Sequence, residues 1–164
     1  MASKMEHAVS YPFSVQRLWE VLTTEQYWHD LLEAINASHG VLESFHHVDD
    51  TVTVYLKQGV PADKLPSMVS AALSGDAHIP RHNTFTWAGD RITGEITATV
   101  AGTPAKVHGT VLTSNDPATT RYSATVEVPI PFVGGKIEKA IIEQLIALLD
   151  AEHENTMNWE ATNR

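Results

Sequence analysis

The sequence predicts an α+β fold: a curved, seven-stranded antiparallel sheet wrapped around a long C-terminal helix, with two short N-terminal helices and a short helical insert. Three observations predict it. The apolar period is helical near the N-terminus, changes to alternation over most of the chain, and turns helical again at the end. The alternating segments are separated by brief turns rich in Gly, Asp and Pro, so sequential strands are antiparallel neighbours. The last periodic stretch, Lys136 to Trp159, is long and amphipathic and needs a sheet under its apolar stripe.

The elements follow in order. Glu6–Tyr11 alternates weakly and reads as a strand that Pro12 ends. Ser14 is placed to cap a helix whose Val15, Leu18, Trp19 and Leu22 share one face; Arg17 stands where a capping-box Glu would, so no box forms. Thr24 opens a second short helix that reaches Ile35. Val41–His47 and Thr51–Lys57 are strands joined by a turn at Val48–Asp50, and Val52, Val54 and Leu56 alternate with Thr51, Thr53 and Tyr55. Val60–Gly75 interrupts the sheet. There Asp63 is expected to cap a short helix, Pro66 falls in its first turn, where proline is tolerated, and Gly75 closes it. Strands resume at Ala77–Trp87, Arg91–Val100, Lys106–Thr113 and Arg121–Val128, and Pro129 and Pro131 end the sheet. In the final helix Ile137, Ile141, Leu145, Leu148, Leu149, Thr156 and Trp159 form one stripe, with Glu138, Lys139, Glu143, Asp150 and Glu154 assigned mostly to other faces.

Three strings sharpen this order: "YPFSVQRLWEVLTTEQYW" near the start, "VPADKLPSMV" in the middle and "VPIPFVGGKIEKAIIEQL" near the end. With them the chain resembles the START-like superfamily, the helix-grip fold that includes polyketide cyclase-like (SRPBCC) proteins. They look like one uncharacterised bacterial family within it, in which "VGGKIE" opens the last helix. The resemblance spans nearly the whole chain. It implies an architecture and a ligand-binding cavity, and no reaction.

Composition bounds the partners. A chain of 164 residues reads as one domain, Met1–Arg164. It holds no cysteine, which removes disulfides, thiolate metal sites and cysteine nucleophiles. A formal net charge of -9 argues against nucleic acid or an anionic membrane as the main partner. The N-terminus lacks the apolar stretch of a secretory signal, and Glu143 breaks the C-terminal apolar run Ala140–Leu149, so no integral membrane span is expected. A cytoplasmic protein is the expectation, with a homodimer left open.

The glycine pair Gly134-Gly135 before Lys136 invites a phosphate-loop reading. That motif needs a glycine where Ile130 stands and Ser or Thr where Ile137 stands, so the pair is read instead as a tight reversal letting the helix approach the sheet. His78 and His82 share a strand face, but without a third ligand they make no metal site; Pro80 between them suggests an edge or a bulge. His46 and His47 point to opposite faces. His108, Glu95 and Glu127 are placed on the outer face. No cofactor or metal is implied.

Geometry then points to a pocket. Seven strands at ~4.8 Å make a sheet about 34 Å across, whereas one helix is only ~10–12 Å wide. The gap must be filled by side chains or by a guest. Candidate ligand-contacting residues are Met68 on the insert, Phe85, Trp87, Ile96, Val111 and Tyr122 on the sheet, and Ile141, Leu145 and Leu148 on the helix. Small residues Gly94, Ala98, Gly109 and Ala124 lie mid-strand on the same face; they either leave room for a guest or let the sheet bend. Leu65, Met68, Val69 and Leu73 make the insert a candidate lid. Trp19, Trp28 and Trp159 are expected in the core. With no convergent polar set in view, the expected function is binding of a small hydrophobic, lipid-like or polyketide-like ligand. A cyclase- or hydrolase-type enzyme and a regulatory protein-interaction domain are the alternatives.

Overall fold

The computed structural model describes residues 2–36, 40–65, 67–73 and 75–164, with the side chains at 36, 68, 69 and 72 outside that description. Its elements are β1 (Ala2–Ser10), α1 (Val15–Leu22), α2 (Glu25–Asn36), β2 (Val41–Val48), β3 (Thr51–Val60), α3 (Ser67–Leu73), β4 (Ala77–Trp87), β5 (Ile92–Thr99), β6 (Lys106–Ser114), β7 (Thr119–Glu127) and α4 (Gly134–Thr162). The strands form one antiparallel sheet in the order β1-β7-β6-β5-β4-β3-β2. This is the helix-grip arrangement: α4, 29 residues and about 44 Å long, lies in the hollow of the sheet, nearest β1 and β7.

Local chemistry explains the boundaries. Ser14 caps α1, its Oγ accepting the Arg17 N–H at 3.1 Å. Val15, Leu18, Val21 and Leu22 make the buried face of that helix. Asp63 does not cap the insert helix. It lies within a single 3₁₀ turn, Ala62–Lys64, whose capping position is Pro61. The expected position of Pro66 falls outside the described residues. α4 begins at Gly134, earlier than expected, and the close approach is real there: a Cβ would collide with the Val128 carbonyl.

Two strands run longer than the sequence reading. β1 starts at Ala2, and β3 continues past Lys57 to Val60, which carries Gln58 onto the inner face with Val52, Val54 and Leu56. Pro80 does not mark an edge: β4 lies inside the sheet. The missing N–H is tolerated because Pro80 pairs with Lys57 of β3 while the ladder to β5 begins only at Arg81.

The interior has two halves. In one, α1 and α2 close over the sheet and the core is filled by Leu18, Trp28, Leu31, Phe85, Ile92 and Val111. Phe85 stacks under Trp28 with ring centroids 6.1 Å apart. Gly94, directly across the ladder, leaves the space that the Phe85 ring occupies; a Cβ there would come within 2.8 Å of it. In the other half the first turns of α4 face Ala98, Val107 and Val126, and Leu65 and Leu73 of the insert close one side of the gap.

Candidate functional site

That second half is hollow. A cavity of about 300 Å³ lies between the N-terminal half of α4 and the ends of β3 to β7. Ile137, Ile141, Leu145 and Leu148 form its helical wall, Ala77, Ile79, Ala98 and Val107 its sheet wall, and Leu65 and Leu73 of the insert close one side. The sheet side contributes small side chains, Ala77, Ala98 and Ala105, which leave space below the Ile and Leu side chains of α4 that the aromatic rings fill around Phe85. The exposed Gln144 and Ala147 lie on its rim.

The predicted site residues divide between the two halves. Ile141, Leu145 and Leu148 line the cavity. Phe85 and Val111 are buried in the filled core, and Trp87, Ile96 and Tyr122 pack against it. Trp87 stacks on Trp19 of α1, with centroids 6.0 Å apart. Met68 belongs to α3, but its side chain lies outside the described residues. Of the small residues, Gly94 serves packing and Ala98 borders the void.

Between the halves stands a buried polar layer that contradicts the expected absence of converging polar groups. Arg81 of β4 meets Glu152 of α4 in a forked ion pair, Nη1 to Oε2 at 2.6 Å and Nη2 to Oε1 at 3.2 Å. Its Nε donates to Asn83 Oδ1 at 2.9 Å and its Nη1 to Gln58 Oε1 at 3.3 Å. Arg81 and Glu152 are 8% exposed, Gln58 3% and Asn83 not at all. Burial disfavours the guanidinium charge, but the facing Glu152 carboxylate more than offsets this and holds the Arg81 pKa above its ordinary value. One turn further along α4, the Thr156 hydroxyl donates to the Glu152 carbonyl at 2.6 Å, so the Tyr27 hydroxyl is the donor in its own 2.6 Å bond to Thr156. Desolvation raises the pKa of Tyr11, Tyr27 and Tyr122 around this layer, so all three stay neutral hydroxyls at physiological pH.

Gln58 joins the two regions: it belongs to the polar layer and also lines the cavity. The outward assignments of His108, Glu95 and Glu127 hold, since all three are exposed. His82 lies flat on Tyr55, with centroids 3.9 Å apart. Glu138 is not on an outer face. It is 1% exposed and takes hydrogen bonds from Ser3 Oγ at 2.6 Å and the Val128 N–H at 2.9 Å, which pins the start of α4 to both β1 and the end of β7. Exposed large apolar residues are spread over β2, β3, β6 and the loop before α4. Among the described residues no helix is long and apolar enough to cross a membrane.

Similar proteins agree with this architecture. An uncharacterised protein of Mycobacterium tuberculosis, Rv0481c, is 28% identical over 99% of both chains. A START superfamily protein from Mycobacterium smegmatis superposes with a TM-score of 0.53 at 10% identity, over 95% of this chain and 98% of that one. The di-domain ARO/CYC BexL of the BE-7585A biosynthetic pathway gives 0.60 at 9% identity, over 96% of this chain and 49% of that one. At these identities the likeness establishes a START-like fold alone, and the match over residues 6–159 places the chain in the family described as "Protein of unknown function (DUF2505)".

Proposed function

We propose that this chain binds a small, mostly apolar molecule, lipid-like or polyketide-like, between the first half of α4 and the sheet, with the insert as its cover. The observation that carries the reading is the cavity of about 300 Å³, walled by Ile141, Leu145, Leu148, Ala98 and Val107. That volume is at the small end of ordinary ligand sites. Catalysis is the weaker alternative. A general acid or base must reach the bound molecule, whereas the described wall carries no titratable side chain; its polar groups are Gln58, Thr99, Thr103 and Gln144. The reading takes residues 1–164 as one binding unit acting in the cytoplasm.

Titration with a neutral fluorescent apolar probe tests it. Saturable one-to-one binding is expected, and Leu148→Trp, which grows into the void, is expected to weaken it at least about tenfold, the effect of losing roughly 1.4 kcal/mol. Non-saturable partitioning, or equal binding by the filled variant, defeats the proposal.

A further inference from the structure

The cavity wall is mostly apolar, and Gln58, one of its few polar residues, carries a buried donor that is unused. Arginine offers donors only, so the 3.3 Å contact from Arg81 Nη1 fixes Gln58 with its Oε1 toward the guanidinium. The Nε2 amide is thereby turned away from Arg81. It is buried and has no hydrogen-bond partner among the described residues. The other polar groups on the wall are accounted for. Thr103 Oγ1 donates to the Val100 carbonyl at 2.9 Å and accepts the Ala105 N–H at 3.1 Å, while Thr99 and Gln144 are exposed at the rim. A buried, unsatisfied N–H is costly and calls for a partner.

We infer that Gln58 is the polar anchor of the site: its Nε2 donates to a neutral carbonyl oxygen at the buried end of an otherwise apolar ligand. The inference rests on the cavity being a binding site. It adds the ligand's chemistry and its orientation, carbonyl inward and apolar tail toward the α3 side. The carbonyl is neutral because no net charge waits for an anion. The Arg81 charge is already met by Glu152 in a forked pair, both side chains nearly buried, so a carboxylate would enter uncompensated. A hydrocarbon of the same length would leave the amide unpaired.

The test compares 2-octanone, octane and octanoate, each displacing the neutral fluorescent probe, on the wild-type protein and on Gln58→Leu. Because a ketone sheds water on entry and an alkane does not, the informative quantity is the change caused by the substitution, not the wild-type ranking. Gln58→Leu is expected to weaken 2-octanone about tenfold relative to octane, the loss of one buried hydrogen bond. A second readout needs no variant: the carbonyl stretch of ¹³C-labelled 2-octanone bound to the wild-type protein is expected at lower wavenumber than in octane solution. Equal effects of Gln58→Leu on ketone and alkane, with an unshifted stretch, overturn the anchor and leave the cavity reading standing. Octanoate binding more tightly than the ketone in a Gln58-dependent way overturns the neutral class. Failure of all three compounds to displace the probe overturns anchor and cavity together.

Discussion

One sheet and one helix enclose two very different spaces. Around Phe85 the interior is solid: Trp28 covers the ring, Gly94 makes way for it, and α1 and α2 bring Leu18, Leu31 and Leu32 down onto the strands. Around Ala98 it is open: the sheet wall is built from small side chains, Ala77 and Ala98 among them, and Leu65 and Leu73 of the insert close one side. The backbone framework is shared, so the difference comes from side-chain volume and from the number of elements above the sheet. A helix-grip sheet therefore leaves a void by default. Where α1 and α2 supply aromatic mass the void closes, and where they stop it persists. The Arg81–Glu152 pair marks the boundary and fixes α4 across the middle of the sheet.

The strongest way to break this comparison is to remove the boundary. Arg81→Met leaves Glu152 buried without its partner and should cost about 3–5 kcal/mol. The double variant Arg81→Met/Glu152→Leu replaces the pair with apolar volume and should recover most of that loss. Urea unfolding monitored by tryptophan fluorescence measures both. A double variant as unstable as the single one would show that the pair is not a self-contained crossbar.

A smaller effect separates the halves themselves. Phe85→Ala empties a space that Trp28 and Gly94 are shaped around, and should cost about 3–5 kcal/mol. Leu145→Ala enlarges an existing void whose wall already lacks neighbours on one side, and should cost about 1–2 kcal/mol. Equal losses in the same unfolding assay would mean that the second half is as solid as the first.

The sequence carried the framework well and the polar layer poorly, for a physical reason. Alternation and turn chemistry are repeated signals, so strand order and most boundaries from β2 to β7 are readable, and the α4 stripe shows in Ile137, Ile141, Leu145 and Leu148. The polar layer breaks the pattern that makes those elements visible. Yet the signal was present. If Phe85 and Trp87 face inward, period two places Asn83, Arg81 and Ile79 there as well. On α4, Glu152 falls between Leu148 and Thr156 on the stripe, and Glu138 follows Ile137. Composition alone sends charged residues outward, which misplaces the buried Glu138. Gln58 escapes differently: the alternation of β3 is readable only to Lys57, three residues short of the strand's end at Val60. The division into filled and hollow halves was not legible, because α1 and α2 cover positions distant in sequence.

The smallest effect compares the two ends of α4 through pH. Glu138, beside the hollow half, is held below the ordinary carboxylate value of 4.5 by the Ser3 hydroxyl and then the Val128 N–H. At the other end burial raises the Glu160 pKa, but Arg17 and Arg164 together outweigh this and also leave it lowered. For both groups the unfolded chain binds its proton first as pH falls, so their stabilisation is complete above pH about 4.5 and is lost as pH drops through the lower folded value. Thermal melts from pH 7 down to 3 should therefore show a falling Tm below about 4.5, and either Glu138→Gln or Glu160→Gln should flatten that fall by a few degrees. Salt distinguishes the ends. Glu160 is held by cations, one of them the exposed Arg164, so its share should shrink at 0.5 M salt, on the order of the screening expected when the Debye length falls to a few ångströms. Glu138 is held by neutral donors, so its share should persist. Identical salt responses of the two variants would show that one mechanism serves both ends.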